Sequence, residues 1–222
     1  MRFAAALGLA ALLCAPALAC TRAPGDTRSV ANKRLLDPAN ANATAPDVYR
    51  VKFETTKGDV LLEVRREWAP RGADRFYNLV TIGYFEEIAF FRAIDGFMVQ
   101  FGLHGTPAVT KVWKKARIPD DERTQSNRRG TVSFANSGPD TRTTQVFINF
   151  RDNTKLDRMG FTPFATVVEG MDVVDALYKG YGEGAPSGTG PDQMEIEKKG
   201  NRYLQENFPK LDWLNKASIA EG

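Results

Sequence analysis

Apolar and polar side chains first fall into a regular pattern at residues 48–54, where Tyr49, Val51 and Phe53 alternate with Arg50, Lys52 and Glu54. A period of two marks a strand with one buried face. A Thr56-Lys57-Gly58-Asp59 turn and a second apolar run at 60–64 make this a hairpin. After Ala69-Pro70 the spacing changes: Ala73, Phe76, Leu79 and Val80 recur at helical intervals, and the helix ends near Gly83. Short strands are expected at 89–94, 97–101, 131–135, 145–150 and 166–168, separated by Gly, Asn, Asp and Pro clusters. A second helix is expected at 171–178, with Val173, Val174 and Leu177 on one face. Five glycines and two prolines make 180–191 a loop. The segment from Asp192 to Ile219 reads as amphipathic helix with a break near Pro209. Many short strands and few helices define a mainly β fold, a barrel or a sandwich.

The amino-terminal stretch carries a different pattern. Arg2 precedes a run of mostly Ala and Leu that closes on Ala17-Leu18-Ala19, the layout of a secretory signal peptide and too short for a membrane span. Leu18-Ala19-Cys20 resembles the bacterial lipoprotein signal, in which the cysteine is freed and acylated. Two fates stay open for Cys20: a lipid anchor to a membrane, which is the expectation, or a signal peptidase product with a free thiol. The other cysteine, Cys14, lies inside the leader, so no disulfide can staple the folded part. Residues 20–46 are polar and Asn/Ala-rich without a period and read as a flexible tether. The expected organisation is a signal peptide at 1–19, a tether at 20–46, a barrel domain at 47–191 and a helical C-terminal extension at 192–222.

Composition narrows the function classes. A chain of 222 residues with 42% hydrophobic side chains holds one core. Thirty Lys and Arg against 27 Asp and Glu, interspersed, give a formal charge of +3, too small for a nucleic-acid-binding surface. A single histidine, His104, with no cysteine in the folded part excludes a zinc site, and no metal or cofactor is expected. A monomer is expected. The stretch 104–127, which holds Trp113, Lys114, Lys115, Arg117 and Pro119-Asp120-Asp121, reads as a solvated loop, with a part in shaping specificity as the other reading.

Three ordered blocks carry chemistry. Phe90-Phe91-Arg92-Ala93-Ile94-Asp95-Gly96-Phe97-Met98-Val99-Gln100 resembles the cyclophilin signature, usually Phe-His-Arg, two apolar residues, Pro-Gly-Phe-Met, any residue and Gln. The run from Gly130 through Ala135-Asn136-Ser137-Gly138-Pro139 to Gln145-Val146-Phe147-Ile148 resembles that family's Ala-Asn-x-Gly-Pro loop and following strand. A weaker third match runs from Leu156-Asp157 to Phe164 and Val168-Glu169-Gly170-Met171. The resemblance covers about residues 48–177. It implies a closed eight-stranded antiparallel barrel capped by two helices, with a proline-peptide groove on its outer face, because a barrel this small fills with side chains.

By this resemblance Arg92 takes the catalytic position. Phe97, Met98 and Phe147 take the proline pocket, Leu156 a further pocket wall, and Gln100, Ala135 and Asn136 the positions that hold the peptide backbone. Phe161 stands where many eukaryotic relatives have histidine. Departures are Phe91 for His, Asp95 for Pro, and Gln100-Phe101-Gly102-Leu103 for Gln-Gly-Gly-Asp, which is expected to add bulk beside the groove.

The residue types fit peptidyl-prolyl cis-trans isomerisation: apolar walls grip a pyrrolidine ring, and a fixed guanidinium meets the amide as it twists. The implied partners are proline-containing polypeptides of the exported compartment. Two other readings stand beside it: a proline-peptide-binding chaperone without turnover, and a barrel enclosing a small hydrophobic ligand.

Overall fold

The computed structural model describes residues 33–220, together with Met1. The expected hairpin forms as β1 (Val48–Thr55) and β2 (Gly58–Arg65), paired in antiparallel register from Val48↔Arg65 to Thr55↔Gly58. Tyr49, Val51 and Phe53 face inward and their charged neighbours face out, as the alternation requires. α1 (Pro70–Thr81) starts with proline, whose fixed φ suits the first turn, and buries Ala73, Phe76, Leu79 and Val80.

The expected strand at 89–94 is two strands, β3 (Glu86–Ala89) and β4 (Arg92–Ile94). They part because consecutive rings are claimed by different clusters: Phe90 packs in the main core and Phe91 in a second one. The chain continues through β5 (Met98–Phe101), α2 (Pro107–Trp113), β6 (Thr131–Phe134) and β7 (Val146–Asn149). A 3-10 helix (Thr154–Met159), β8 (Pro163–Glu169) and α3 (Met171–Asp175) follow, then α4 (Gln193–Lys199), α5 (Asn201–Asn207) and β9 (Trp213–Ile219).

The closed eight-stranded barrel is corrected to one nine-stranded antiparallel sheet in the order β3-β9-β1-β2-β8-β6-β7-β5-β4. Among the described residues no ladder joins the two end strands, which are linked by the chain at Phe90-Phe91. The sheet wraps Phe53, Phe76, Phe85, Phe101, Phe134 and Phe164, whose rings meet in tilted or edge contacts at centroid distances of 5.0 to 6.2 Å. Each such ring contributes roughly 1.5–3 kcal/mol by burial. They fill the interior that an enclosed ligand would need.

The ninth strand corrects the helical C-terminal extension. Residues 193–207 are helical, but β9 inserts between β1 and β3, pairing Phe53↔Ala217 and Ile88↔Leu214. Leu214 and Ala217 enter the main core, so a barrel ending at 191 lacks one of its own strands. The register slips between Glu54 and Thr55. Such an irregularity, with Leu214 and Ala217 three apart on the same side, breaks the period-two signal and leaves spacing that imitates a helix.

The tether is corrected in its described part. Leu35 packs against the core and its carbonyl accepts from Trp113 Nε1 at 2.8 Å. Asn78 on α1 accepts from the Ala43 N–H at 3.0 Å and donates to its carbonyl at 2.7 Å, while Asp74 accepts from Ala45 N–H at 2.9 Å. The segment docks through backbone groups, which carry no residue type for a sequence pattern to reveal. The leader at 1–19 and Cys20 lie outside the described residues, apart from Met1.

The stretch 104–127 is likewise no solvated loop. It holds α2, the fully buried Trp113 ring, and Asp121, whose carboxylate accepts from Arg71 N–H and Gly72 N–H at the start of α1 and pairs with buried Arg142 at 3.0 Å. A carboxylate at a helix N-terminus opposes the dipole and satisfies donors that have no intrahelical partner.

Candidate active site

Strand alternation sorts β5 and β7 into two faces. Val99, Phe101, Val146 and Ile148 point into the main core, whereas Met98, Gln100 and Phe147 point to the outer wall. Met98, Phe147 and Leu156 form a small apolar cluster of their own, with Ile94, Phe97, Ala135 and Phe161 packed against it. The Phe147 and Phe161 rings meet edge to face at 5.5 Å. The apolar slot therefore lies outside the core that holds the sheet together.

A polar scaffold sets the far wall of this slot. Asn127 is fully buried, accepts from Ser133 Oγ at 2.8 Å, and donates to Asp157 Oδ1 at 2.8 Å and to the Phe161 carbonyl at 2.9 Å. Asn153 Nδ2 donates to the Phe97 carbonyl and to Asn149 Oδ1, both at 2.8 Å. Leu156, Phe161 and Phe97 are thus fixed by backbone and amide contacts as well as by packing. Partial burial opposes the charged form of Asp157, but hydrogen bonds from Ser126 and Asn127 outweigh it and hold this carboxyl below its usual range.

Arg92 stands beside the slot. β4 pairs with β5 in the register Arg92↔Gln100, and Gln100 pairs with Phe147 on β7, so guanidinium, amide and ring lie across three adjacent strands. Arg92 Nη1 donates to Gln100 Oε1 at 2.8 Å, and Gln100 Nε2 donates to Gln145 Oε1 at 2.7 Å. The other edge of the guanidinium is gripped by Glu183, Nε to Oε1 and Nη2 to Oε2, both at 2.6 Å. Arg92 is thus ion-paired but not turned away: it lines the same cavity of about 730 Å³ as Phe97, Met98 and Phe147. Arg92 holds the Glu183 carboxyl below its usual range by hydrogen bonding.

All nine site residues expected in the folded part line this one cavity: Arg92, Phe97, Met98, Gln100, Ala135, Asn136, Phe147, Leu156 and Phe161. Lys114 and Arg117, from the stretch whose other reading is a part in specificity, share it, as does Glu183, which sequence reasoning missed. Glu183 is 91 residues from Arg92 in a loop without periodicity, so no local signal could have found it. The departures fall elsewhere. Phe91 and Leu103 pack with Ile196, Leu204 and Leu211 in the second core, and Phe101 points inward between Phe53 and Phe90. The expected bulk beside the groove is therefore limited to Leu103, which also touches the cavity. The Asp95 side chain is exposed.

A filled antiparallel sheet with an apolar slot and a fixed guanidinium on its outer wall defines a cyclophilin-like fold. Two solved structures of a Cryptosporidium parvum cyclophilin type peptidyl-prolyl cis-trans isomerase, one obtained in the presence of the dipeptide Ala-Pro, superpose with TM-scores of 0.59 and 0.58. Each is 19% identical and they cover 79% and 78% of this chain and 99% of their own. The family profile described as cyclophilin type peptidyl-prolyl cis-trans isomerase/CLD matches residues 50–199. Peptidyl-prolyl cis-trans isomerase-like 3 of Rhizopus delemar is 37% identical over 132 residues, 55% of this chain and 76% of the relative. The protein of the same name from Homo sapiens is 36% identical over 135 residues, 58% of this chain and 81% of the relative. The chain belongs to the cyclophilin-type peptidyl-prolyl cis-trans isomerase family.

Proposed function

We propose that this protein isomerises X-Pro bonds of exported polypeptides and so assists their folding, by binding the twisted amide in the slot beside Arg92. The observation that carries this reading is the convergence of Arg92, Phe97, Met98 and Phe147 on one outer cavity. The reaction breaks no covalent bond. It passes through an amide that has lost resonance, over an uncatalysed barrier of about 18–20 kcal/mol. Each tenfold acceleration requires about 1.4 kcal/mol of preference for the twisted form over the planar isomers. Met98, Phe147 and Leu156 offer a dry wall that suits the less dipolar twisted amide and grips the pyrrolidine ring. The Arg92 guanidinium, permanently charged, donates to the substrate carbonyl and approaches the proline nitrogen, whose lone pair becomes basic as resonance is lost. Gln100 and Asn136 hold the flanking backbone so that one side of the bond turns against the other.

A protease-coupled assay on an Ala-Pro peptide tests this. Arg92→Ala is expected to lower kcat/KM by about 10²–10³-fold, the usual effect of losing one donor aimed at the transition state. Equal rates for both proteins would instead favour a chaperone that holds proline segments without turnover. Delivery to the exported compartment rests on the pattern at 1–19 and Cys20. It predicts a mature protein beginning at an acylated Cys20, read by mass spectrometry of its amino-terminal peptide, and an unprocessed terminus would overturn it.

A further inference from the structure

Glu183 sits in the glycine-rich stretch that sequence alone marks as a connection, yet its contacts are specific. It forks onto Nε and Nη2 of Arg92 at 2.6 Å each, shorter than the usual ion-pair hydrogen bond. With Gln100 on Nη1, three of the guanidinium's five N–H groups are engaged and its plane is fixed from two sides, while two remain uncommitted. Glu183 is itself held. Its Oε1 also accepts from Gly184 N–H at 2.9 Å, and its carbonyl accepts from Gly190 N–H at 2.8 Å. The preceding residue, Gly182, bridges to Ala93, the neighbour of Arg92 on β4. The loop is wound tightly on the Glu183 backbone, since a Cβ at Gly188 would meet the Glu183 carbonyl at 2.3 Å and one at Gly190 would meet it at 2.8 Å. The two side chains are 23% and 38% exposed, and a pair that open to solvent adds little to folding stability, so the arrangement calls for another account.

We propose that Glu183 is the positioning residue of the isomerase site: it locks the Arg92 guanidinium edge-on and leaves its two uncommitted N–H groups for the twisting amide. This rests on the isomerase reading. A free arginine samples many rotamers, and freezing it before substrate arrives removes an entropic cost from the catalytic step. The effect belongs in kcat, because the guanidinium is aimed at the transition state, and binding of the ground-state peptide relies on the apolar slot.

The test is to measure kcat and KM separately for the wild type, Glu183→Ala, Glu183→Gln, Arg92→Ala and the double variant Arg92→Ala/Glu183→Ala. Glu183→Ala is expected to lower kcat about tenfold with KM within about twofold, and to have no further effect once Arg92 is alanine. Glu183→Gln keeps the size and one acceptor, is expected to fall between, and carries the test alone should the alanine variant fail to fold. An active wild type with kcat unchanged or raised in both Glu183 variants overturns the inference, as does an equal loss in the Arg92→Ala background. A wild type no faster than the uncatalysed reaction overturns the isomerase reading itself.

Discussion

Two apolar clusters outside the main core make an instructive contrast. The slot of Met98, Phe147 and Leu156 is built by two neighbouring short strands, β5 and β7, whose alternation presents one side chain in two to the outer wall, and by the 3-10 helix that carries Leu156. The second cluster, of Ala89, Phe91, Leu103, Ile196, Leu204 and Leu211, joins two strand ends near residue 90 and 103 to helices a hundred residues further on. The first lines the outer cavity beside Arg92. The second is a joint that fastens the C-terminal segment, and through it β9, to the sheet. Of the positions at which this chain departs from its family's signature, Phe91 and Leu103 belong to the joint, with Leu103 also touching the cavity, while Phe101 packs in the main core and Asp95 is exposed. At Phe91 and Phe101 the departure from the motif matches what packs behind it.

The contrast is broken most severely by attacking what the joint delivers. Leu214 on β9 is fully buried between β1 and β3, so Leu214→Asp places a carboxylate in the main core. A loss of more than about 4 kcal/mol is expected, seen as insoluble protein or as the absence of a cooperative urea transition. Lys216→Ala, on the exposed side of the same strand, is expected to change stability by less than about 0.5 kcal/mol. If both variants were equally mild, β9 would be an appendage and the sheet would stand without it.

This is also where the sequence was least legible. The hairpin, α1 and the strands that carry Met98, Gln100 and Phe147 followed from period-two and helical spacing, because each buries one face against a continuous core. The nine site residues in the fold came from matched motifs, and Phe97, Met98 and Phe147 taken singly have the pattern of ordinary core residues. The spacing in β9 imitates a helix because a register slip disturbs its alternation. Glu183 and the docking of residues 35–45 are invisible for another reason: each depends on scattered contacts to backbone groups or single side chains, and such contacts impose no period.

A smaller effect lies where the two regions meet. His104 follows β5, leads into α2, and precedes Gly105, whose carbonyl accepts from Asn201 N–H at the α4–α5 junction. The approach is so close that a Cβ on Gly200 would meet the Gly105 carbonyl at 1.9 Å. Burial disfavours the imidazolium and lowers the His104 pKa to about 4. The Thr106 N–H donates to Nδ1, a bond available only while that nitrogen is unprotonated. The unfolded chain, titrating near 6.5, binds the proton first, so stability is complete above about pH 6.5 and falls as pH drops toward 4. The loss is expected to reach about 2 kcal/mol by pH 5 and on the order of 3 kcal/mol at the lower limit. Because His104 is the sole histidine, urea unfolding at pH 7 and pH 5 isolates it, and His104→Asn is expected to flatten the difference. The carboxyls of Asp157, Asp175 and Glu183 are held below their usual range and add their own losses only in stronger acid.

The smallest effect discriminates best. Phe91→His restores the signature residue of the family at a site only 1% exposed, among Leu103, Ile196 and Leu211. If the joint and the slot are separate, an unpartnered imidazole there costs roughly 1–2 kcal/mol in stability. Turnover of an Ala-Pro peptide should then stay within about twofold, because Arg92 is held on β4 by Gln100 and Glu183 and not by its neighbour. The converse, a tenfold change in turnover at unchanged melting temperature, would make Phe91 part of the groove and dissolve the distinction between the two clusters. Since Arg92 and Phe91 are adjacent in the chain, only their opposite facing separates these outcomes. Phe91 immediately precedes β4 and its ring packs in the joint, while Arg92, the first residue of β4, lines the cavity, so one residue completes the joint while the next serves the slot.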